Sequence, residues 1–339
     1  MKKTRYRDRR AVEIETGDLK VTVLVEGGHI AEILHKPTGV NPLWTPPWPS
    51  IEPSAYNRDQ HPEYGGDAES KLLSGIMGHN LCLDIFGPVS AEEASAGMTV
   101  HGEASIVPYS FRKERGALIA SATLPASQLR FERRIRVDTV ISVQETVENL
   151  SALDRPIAWT QHVTLGPPFL ERGVTQFRAP GTRSMALGSG EEFDWPRFGT
   201  RDLQLYTAAT RSGEYTTHLM DLEREQAYFT AFSPKAKLLF GYVWKRADFP
   251  WLGVWEENHS RMQPPWNGET MTRGMEFGVS PMPETRREMI ERGSLFGVPG
   301  YRWLPARGRA EVRYCAFART ADHIAETASW DGSGDVGLS

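Results

Sequence analysis

Strict alternation of apolar and polar residues is the feature that most constrains how this chain folds. The clearest stretch carries apolar side chains at Ile135, Val137, Ile141, Val143 and Val147, with polar residues at most positions between them. A period of two places these side chains on one face of a β-strand. Helical periodicity is limited to residues 284–293 and 321–328, and residues 148–156 form a predicted hairpin turn. The pattern predicts an all-β, antiparallel fold with few short helices.

The organisation of the chain is predicted to be simple. Its 339 residues are enough for one large domain or two ordinary ones. No internal repeat and no linker-like change in composition divides it, and all-β chains often form long single domains. We therefore expect one domain over residues 11–327, preceded by a basic arm at residues 1–10. A flexible tail rich in Gly, Ser and Asp is expected at residues 328–339.

Charge and cysteine content exclude several classes of function. Lys and Arg number 39 against 43 Asp and Glu, a net charge of -4, so no general field favours nucleic acid or an anionic membrane. Cys82 and Cys315 are too few for a disulfide framework and form no CxxC motif. The basic start lacks the apolar region of a signal peptide, and no run approaches ~18 apolar residues. We expect a cytoplasmic protein, and the sequence gives no signal for its oligomeric state.

Three residues capable of acid–base chemistry lie far apart in the sequence. His101 precedes Gly102 within the stretch 98–111, where a glycine lets another group approach the backbone beside a titratable ring. His162 lies in PIAWTQHVTLG, whose alternation puts it on the polar face of a strand. Glu276 follows in RGMEFGVSPMP, 114 positions after His162 and near the C-terminus.

The order of these residues resembles the aldose 1-epimerase, or galactose mutarotase-like, superfamily. The early GGHIAEILHKPTGVNPLW resembles the opening hairpin of that superfamily, and FPWLGVW resembles the strand before its catalytic glutamate. The segment KLLSGIMGHNLCLDIFGP followed by HGEAS also resembles its less characterised members. The resemblance covers nearly the whole chain and implies a large antiparallel two-sheet β-sandwich, the supersandwich, with a small-molecule sugar in an open cleft.

The resemblance also implies roles for these residues. Glu276 would be the base at the anomeric hydroxyl and His162 the acid at the ring oxygen, with His101 steadying the ring oxygen or a sugar hydroxyl. Both residue types hold either protonation state near neutral pH, so no metal or other cofactor is expected. His79, Asn80, Asp221 and Trp255 are the expected substrate contacts.

One departure from the superfamily concerns sugar binding. Its mutarotases carry a sugar-gripping arginine upstream of the His-Gly pair, and residues 71–88 here offer only Lys71, His79, Asn80 and Asp84 as polar candidates.

Several alternatives stay open at this stage. The fold could bind a sugar without catalysis, which the absent arginine favours. A metal-dependent, cupin-like enzyme could use His29, His35, His79 and His101, although the chain has no HxH pair. A sugar hydrolase or lyase would need paired carboxylates at a defined separation. Glu256 and Glu257 are alternative bases, because they follow an apolar strand.

Overall fold

The computed structural model describes residues 1–207 and 209–339, and β-strands dominate it. The first strands are β1 (Lys2–Tyr6), β2 (Arg9–Glu15), β3 (Leu19–Leu24), β4 (Ile30–His35), β5 (His79–Asp84), β6 (Ser110–Glu114), β7 (Ala117–Leu124), β8 (Leu129–Val137), β9 (Ile141–Asn149), β10 (Arg155–Leu165), β11 (Gln176–Arg178), β12 (Gly181–Ala186) and β13 (Glu192–Asp194). The remaining strands are β14 (Arg197–Phe198), β15 (Arg201–Asp202), β16 (Ser212–Met220), β17 (Gln226–Ser233), β18 (Leu238–Lys245), β19 (Trp251–Asn258), β20 (Met271–Gly278), β21 (Ser294–Leu295), β22 (Val298–Pro299), β23 (Arg302–Leu304), β24 (Arg309–Thr320), β25 (Ala328–Ser329) and β26 (Gly337–Leu338).

Two large antiparallel sheets make up the body of the fold. Within the described residues, twelve strands form the first sheet in the order β1-β2-β3-β4-β5-β10-β20-β19-β16-β12-β13, with β23 paired to β10. Eight strands form the second sheet in the order β11-β17-β18-β24-β9-β8-β7-β6. The predicted all-β sandwich is therefore confirmed.

The main core lies between the two sheets. Ile135, Val143 and Val147 of the second sheet are fully or almost fully buried there, as their alternation predicts. Trp159 and Val163 of β10 pack into the same core from the first sheet. Burial of side chains this large is the main favourable term for holding two sheets together, at roughly 1.5–3 kcal/mol each. The opposite face of the first sheet is left to carry polar chemistry.

A buried polar network also crosses this core. Arg133 Nε donates to Glu145 Oε1 at 2.7 Å, and Gln161 Nε2 of the facing sheet donates to Glu145 Oε2 at 2.6 Å. The Tyr314 hydroxyl donates to Glu145 Oε1 at 2.8 Å, and His79 Nε2 lies 2.9 Å from Gln161 Oε1. Buried polar groups have to be hydrogen-bonded, and here they are paired from sheet to sheet.

Among the described residues, three short α-helices lie outside the sheets, α1 (Ser70–Leu73), α2 (Ala91–Ser95) and α3 (Arg286–Arg292), with two 3-10 turns at Pro53–Ala55 and Pro62–Tyr64. Helix α3 confirms the periodicity at 284–293. It begins with a capping box, in which Thr285 accepts from the Glu288 amide while the Glu288 carboxylate accepts from the Thr285 amide, and it ends at Gly293 with φ 66°. No helix among the residues described is long and apolar enough to cross a membrane.

Both ends of the chain contain paired strands. The expected basic arm contains β1, whose Lys2–Tyr6 backbone pairs with β2 at the edge of the first sheet. The expected tail at 328–339 contains the β25–β26 pair, and Trp330 and Val336 are buried in a satellite apolar cluster on the second sheet. The Gly, Ser and Asp residues of this tail therefore form a turn between two anchored apolar side chains.

Two local predictions from the sequence are wrong. Residues 321–328 form no helix, because Ile324 and Ala325 reach the apolar cluster on the second sheet from irregular backbone and Ala328 reaches it from β25. Residues 148–156 do not form a hairpin turn, because β9 belongs to the second sheet and β10 to the first. This connection carries the chain from one layer to the other.

Candidate active site

His162 and Glu276 are direct neighbours on the first sheet. His162 of β10 stands opposite Glu276 of β20 in the antiparallel register, and His162 Nε2 lies 3.1 Å from Glu276 Oε1. Both side chains are almost fully buried. The alternation of β10 puts Trp159 and Val163 in the core and leaves His162 on the opposite, polar face. The register thus joins two residues that are 114 positions apart in the sequence.

Glycines on the neighbouring positions keep space around this pair. A Cβ atom at Gly274 would lie 2.5 Å from Glu276 Oε1, closer than real Cβ contacts allow. Gly253 of β19 stands directly opposite Glu276, and a Cβ atom there would lie 2.2 Å from the Tyr215 hydroxyl. The floor beside Glu276 is therefore open because these positions lack side chains.

His101 reaches the same place from a turn. Its φ is 71°, an uncommon conformation for a residue with a side chain, and its Nδ1 lies 2.6 Å from the carbonyl oxygen of Phe86. The following Gly102 has φ 80°, and a Cβ atom there would lie 2.2 Å from the Leu83 carbonyl oxygen. The glycine therefore admits the backbone of a neighbouring strand, where the sequence suggested a ligand.

The three residues share one cavity of about 600 Å³. The rings of His101 and His162 have their centroids 5.0 Å apart, and Trp255 packs edge-on against His162 at 5.7 Å. Apolar and aromatic residues make up most of the remaining wall: Trp44, Leu73, Ile76, Phe86, Val100, Leu187, Tyr215 and Trp266. A concave, largely apolar site with a few convergent polar groups is the usual form of a small-molecule site.

Burial shifts the protonation of the three residues toward their neutral forms. It lowers the pKa of His162 well below 6.5, with a smaller contribution from the nearby His101, and it lowers the pKa of His101 to about 4. It raises the pKa of Glu276 well above 4.5. His162 and Glu276 therefore form a pair that holds one proton, because burial disfavours both imidazolium and carboxylate.

Hydrogen bonds define which imidazole nitrogen of His162 and of His101 is free to act in the cavity. The Thr164 hydroxyl lies 3.0 Å from His162 Nδ1, so His162 Nε2 is the nitrogen left for Glu276 or a ligand. His101 Nδ1–H donates to the Phe86 carbonyl, which assigns the neutral ring an unprotonated Nε2. Glu276 Oε1 makes no aligned hydrogen bond to the described residues. The site thus offers one acceptor on His101 and an unsatisfied carboxyl oxygen.

The other expected substrate contacts divide into two groups. Trp255 lines the cavity, and Asn80 stands opposite His162 in the register with no hydrogen bond to its side-chain amide from the described residues. Asn80 itself does not line the cavity. His79 points into the core, where the Tyr242 hydroxyl lies 3.0 Å from its Nδ1. Asp221 follows β16 and accepts a local hydrogen bond from the Glu223 amide, away from the cavity.

The alternative bases differ in where they point. Glu256 faces away from the cavity and pairs with Arg273 and Arg201. Glu257 lines the cavity, but its carboxylate accepts hydrogen bonds from the Ser260 amide and hydroxyl at 2.7–2.9 Å.

The four histidines of the metal-enzyme alternative are dispersed. His29 is bonded to the Ser105 carbonyl and His35 to Thr38, whereas His79 lies in the core and His101 at the cavity. Among the described residues, no group of three or more His, Cys, Asp or Glu side chains is placed to hold a metal ion.

Sequence reasoning missed several residues that line the cavity, most of them in loops. Glu69 comes from the turn before α1, Glu214 from the start of β16, and Arg261 and Trp266 from the connection between β19 and β20. Irregular segments have no period that predicts a facing direction. The one available signal was composition, since the 259–270 segment combines Arg, Trp and Pro residues next to a strand rich in tryptophan.

Comparison with known proteins places the chain in a structural class. No protein-family model matches the sequence, and no curated protein does either. Solved structures, however, share its architecture over almost the full length. The chain therefore has a galactose mutarotase-like fold, the fold that the sequence resemblance implied.

Three solved structures illustrate the similarity. A provisional aldose 1-epimerase from Klebsiella pneumoniae aligns with a TM-score of 0.70 and 16% identity, covering 93% of this chain and 80% of that protein. A galactose mutarotase-like protein from Clostridium acetobutylicum aligns at 0.64 and 13%, covering 94% and 98%. A provisional aldose 1-epimerase from Escherichia coli K12 aligns at 0.63 and 11%, covering 91% and 99%. At such identities the similarity is one of fold.

Proposed function

We propose that the protein is an aldose 1-epimerase-like enzyme that interconverts the anomers of a sugar in this cavity. The observation that carries the proposal is the contact between His162 Nε2 and Glu276 Oε1, 3.1 Å apart on the floor of the cavity. Anomer exchange needs one group that removes a proton from the C1 hydroxyl and another that protonates the ring oxygen. The two must be close, because those two oxygens are attached to the same carbon.

The reaction follows from this pair. Glu276 takes the proton of the C1 hydroxyl while His162 gives one to the ring oxygen, and the bond between C1 and that oxygen breaks. The product is the open-chain aldehyde, with the proton now on Glu276 and His162 neutral. Rotation about the C1–C2 bond and the reverse transfers then give the other anomer. His101 Nε2 accepts a hydrogen bond from a sugar hydroxyl and holds the ring.

The protonation preferences of the pair agree with this cycle. Burial favours protonated Glu276 and neutral His162, which is the state reached after ring opening. Entry of a cyclic sugar requires the proton to lie on His162 instead, and the two groups, 3.1 Å apart, exchange it once they align. One shared proton is enough for ring opening and for ring closure, because closure reverses the proton transfers of opening.

The test is an exchange measurement on the purified chain with a panel of neutral aldoses, by polarimetry or two-dimensional exchange NMR. We expect faster equilibration of the anomers of at least one aldose than in buffer alone. A chain that binds a sugar and exchanges its anomers no faster than buffer would support a binding protein of the same fold.

The pH dependence of that activity is expected to extend to acid. Activity needs one proton on the pair, and it is lost when His162 and Glu276 are both protonated. Because burial lowers the pKa of His162, the second proton binds only well below 6.5. We therefore expect kcat/KM, corrected for the buffer rate, to be nearly the same at about pH 7 and about pH 5.5. An acid limb with an apparent pKa near 6.5 would contradict this, since it would indicate a solvated imidazole.

A further inference from the structure

Arg261 brings a positive charge to a cavity that is otherwise acidic. Of the described residues that line it, Arg261 is the only lysine or arginine, whereas Glu69, Glu214, Glu257 and Glu276 are all present. Arg261 lies in the connection between β19 and β20, so it stands at the wall of the cavity while Glu276 lies on its floor. The reaction proposed above gives this residue no role.

The guanidinium group is held in place by an aromatic face and weakly by charge. Its central carbon lies 4.6 Å from the centre of the Trp266 ring and 5.8 Å from that of Trp255. Its nearest carboxylate contacts are long, at 3.4 Å to Glu69 and 3.6 Å to Glu257. Guanidinium carries five N–H donors, and these contacts leave most of them available. About one third of the side chain, 34%, remains exposed.

Glu69 complements this group on the opposite segment. It comes from the turn before α1, and burial raises its pKa in spite of the nearby guanidinium. The 3.4 Å contact between the two side chains is long for an ion pair, so the pair is loose and has capacity for further hydrogen bonds. Together they present donors and an acceptor side by side, which matches two adjacent hydroxyl groups.

The same surroundings disfavour an anionic ligand. A phosphate or carboxylate brought to Arg261 would also approach Glu69 and Glu257, and like charges at such separations repel. Neutral hydroxyls avoid this cost, and the largely apolar cavity wall supplies surface for the C–H groups of a sugar. The arrangement of charged side chains therefore favours binding of a neutral ligand over an anionic one.

We propose that Arg261 and Glu69 anchor a neutral, unphosphorylated sugar through two adjacent hydroxyl groups, with the guanidinium group fixed on Trp266. The assignment rests on the proposed function only in placing a sugar in the cavity. It concerns binding and not proton transfer, so its consequences appear in Kd and KM. The turnover number is set elsewhere in the site.

The test compares Arg261→Met with Arg261→Lys in the full chain. Methionine retains an apolar contact with Trp266 but has no donors, whereas lysine keeps the charge without the planar fork. For the neutral aldose that wild type binds best, we expect Arg261→Met to raise Kd and KM by about 10- to 100-fold, with kcat changed less than about threefold. Arg261→Lys is expected to recover only part of the affinity. Arg313→Met, at an exposed position on the other sheet, serves as the matched control.

Sugar derivatives test the charge selection. Glucose, glucose 6-phosphate and glucuronate are compared by calorimetry and saturation-transfer NMR, with the corresponding derivatives of the best aldose where these differ. We expect both anionic forms to bind wild type more weakly than the neutral sugar. Wild-type affinity in Arg261→Met, or tighter binding of the phosphorylated form, would overturn the proposal. If sugar binding depends on Arg261 but no anomer exchange occurs, the anchor stands and the catalytic proposal fails. If no aldose binds, both fail.

Discussion

Glu276→Gln is expected to lower the rate of anomer exchange by about 10²- to 10⁴-fold while sugar binding survives. Glutamine keeps the shape of the side chain and can still hydrogen-bond, but it cannot take the proton of the C1 hydroxyl. Burial raises the pKa of Glu276, so the fold already accommodates a neutral side chain at this position. We therefore expect the variant to fold as wild type does, and the loss to appear in kcat.

Two measurements separate the effect on kcat from the effect on sugar binding. Exchange NMR gives kcat at saturating sugar, and calorimetry gives Kd for the same sugar. Glu311→Gln, a half-exposed glutamate on β24 of the other sheet, is the matched control and should leave both values unchanged. A Glu276→Gln variant with the wild-type kcat would show that the base is another residue. Glu257 would then be the candidate, because it lines the cavity whereas Glu256 is turned away from it.

His162 extends this test because it shares the proton with Glu276. His162→Asn should lose a similar factor, since the ring oxygen then lacks its proton donor. Residues that act as a unit give non-additive losses. The double variant is therefore expected to be little slower than either single variant. Two independent losses that multiply would mean that the 3.1 Å contact is not used for proton exchange.

The sequence predicted the fold where strands have one polar face. Along β8 and β9 the alternation gives both the strands and their direction of burial, and Ile135, Val143 and Val147 lie in the core as predicted. His162 was also assigned to the correct face, because Trp159 and Val163 on either side of it are large and apolar. Period-two patterns carry this information only when one face is polar.

His79 is a residue whose direction the alternation of apolar and polar residues does not predict. Every residue of β5 is buried, because the sandwich covers one of its faces and the site segments cover the other. Its sequence HNLCLD therefore gives no reliable indication of which face meets a ligand. His79 shares its side with Leu81 and Leu83, and the ring pairs with Tyr242 and Gln161 in the core. The residue assigned to the sugar belongs to the network between the sheets.

The registers between paired strands are even harder to predict from the sequence. The adjacency of His162 and Glu276 depends on β10 pairing with β20 at one particular offset. A shift of one residue would put Glu276 on the opposite face. The resemblance implied only that His162 and Glu276 act at one site, and neither composition nor alternation gave the register. Arg261 and Glu69 lie in loops, where neither the resemblance nor alternation indicates a contact with the site.

The second large effect is expected in stability, at the network that contains His79. Glu145→Gln should lower the free energy of unfolding by about 3–5 kcal/mol, the usual cost of leaving one member of a buried ion pair without its counter-ion. Arg133 is almost fully buried, and Glu145 Oε1 is its charged partner at 2.7 Å. Glutamine also replaces one acceptor oxygen with an N–H group, next to donors from Trp159, Gln161 and Tyr314.

Urea denaturation with an unchanged m-value measures this loss. Glu132→Gln is the matched control, because Glu132 pairs with Arg112 at 3.0 Å on the same sheet but in contact with solvent. An exposed pair contributes about 0–1 kcal/mol, since water and salt screen it. The two variants remove the same charge from the same sheet, so their difference isolates the effect of burial. If Glu145→Gln costs no more than Glu132→Gln, the network does not hold the sheets together. The position of His79 would then need a functional explanation after all.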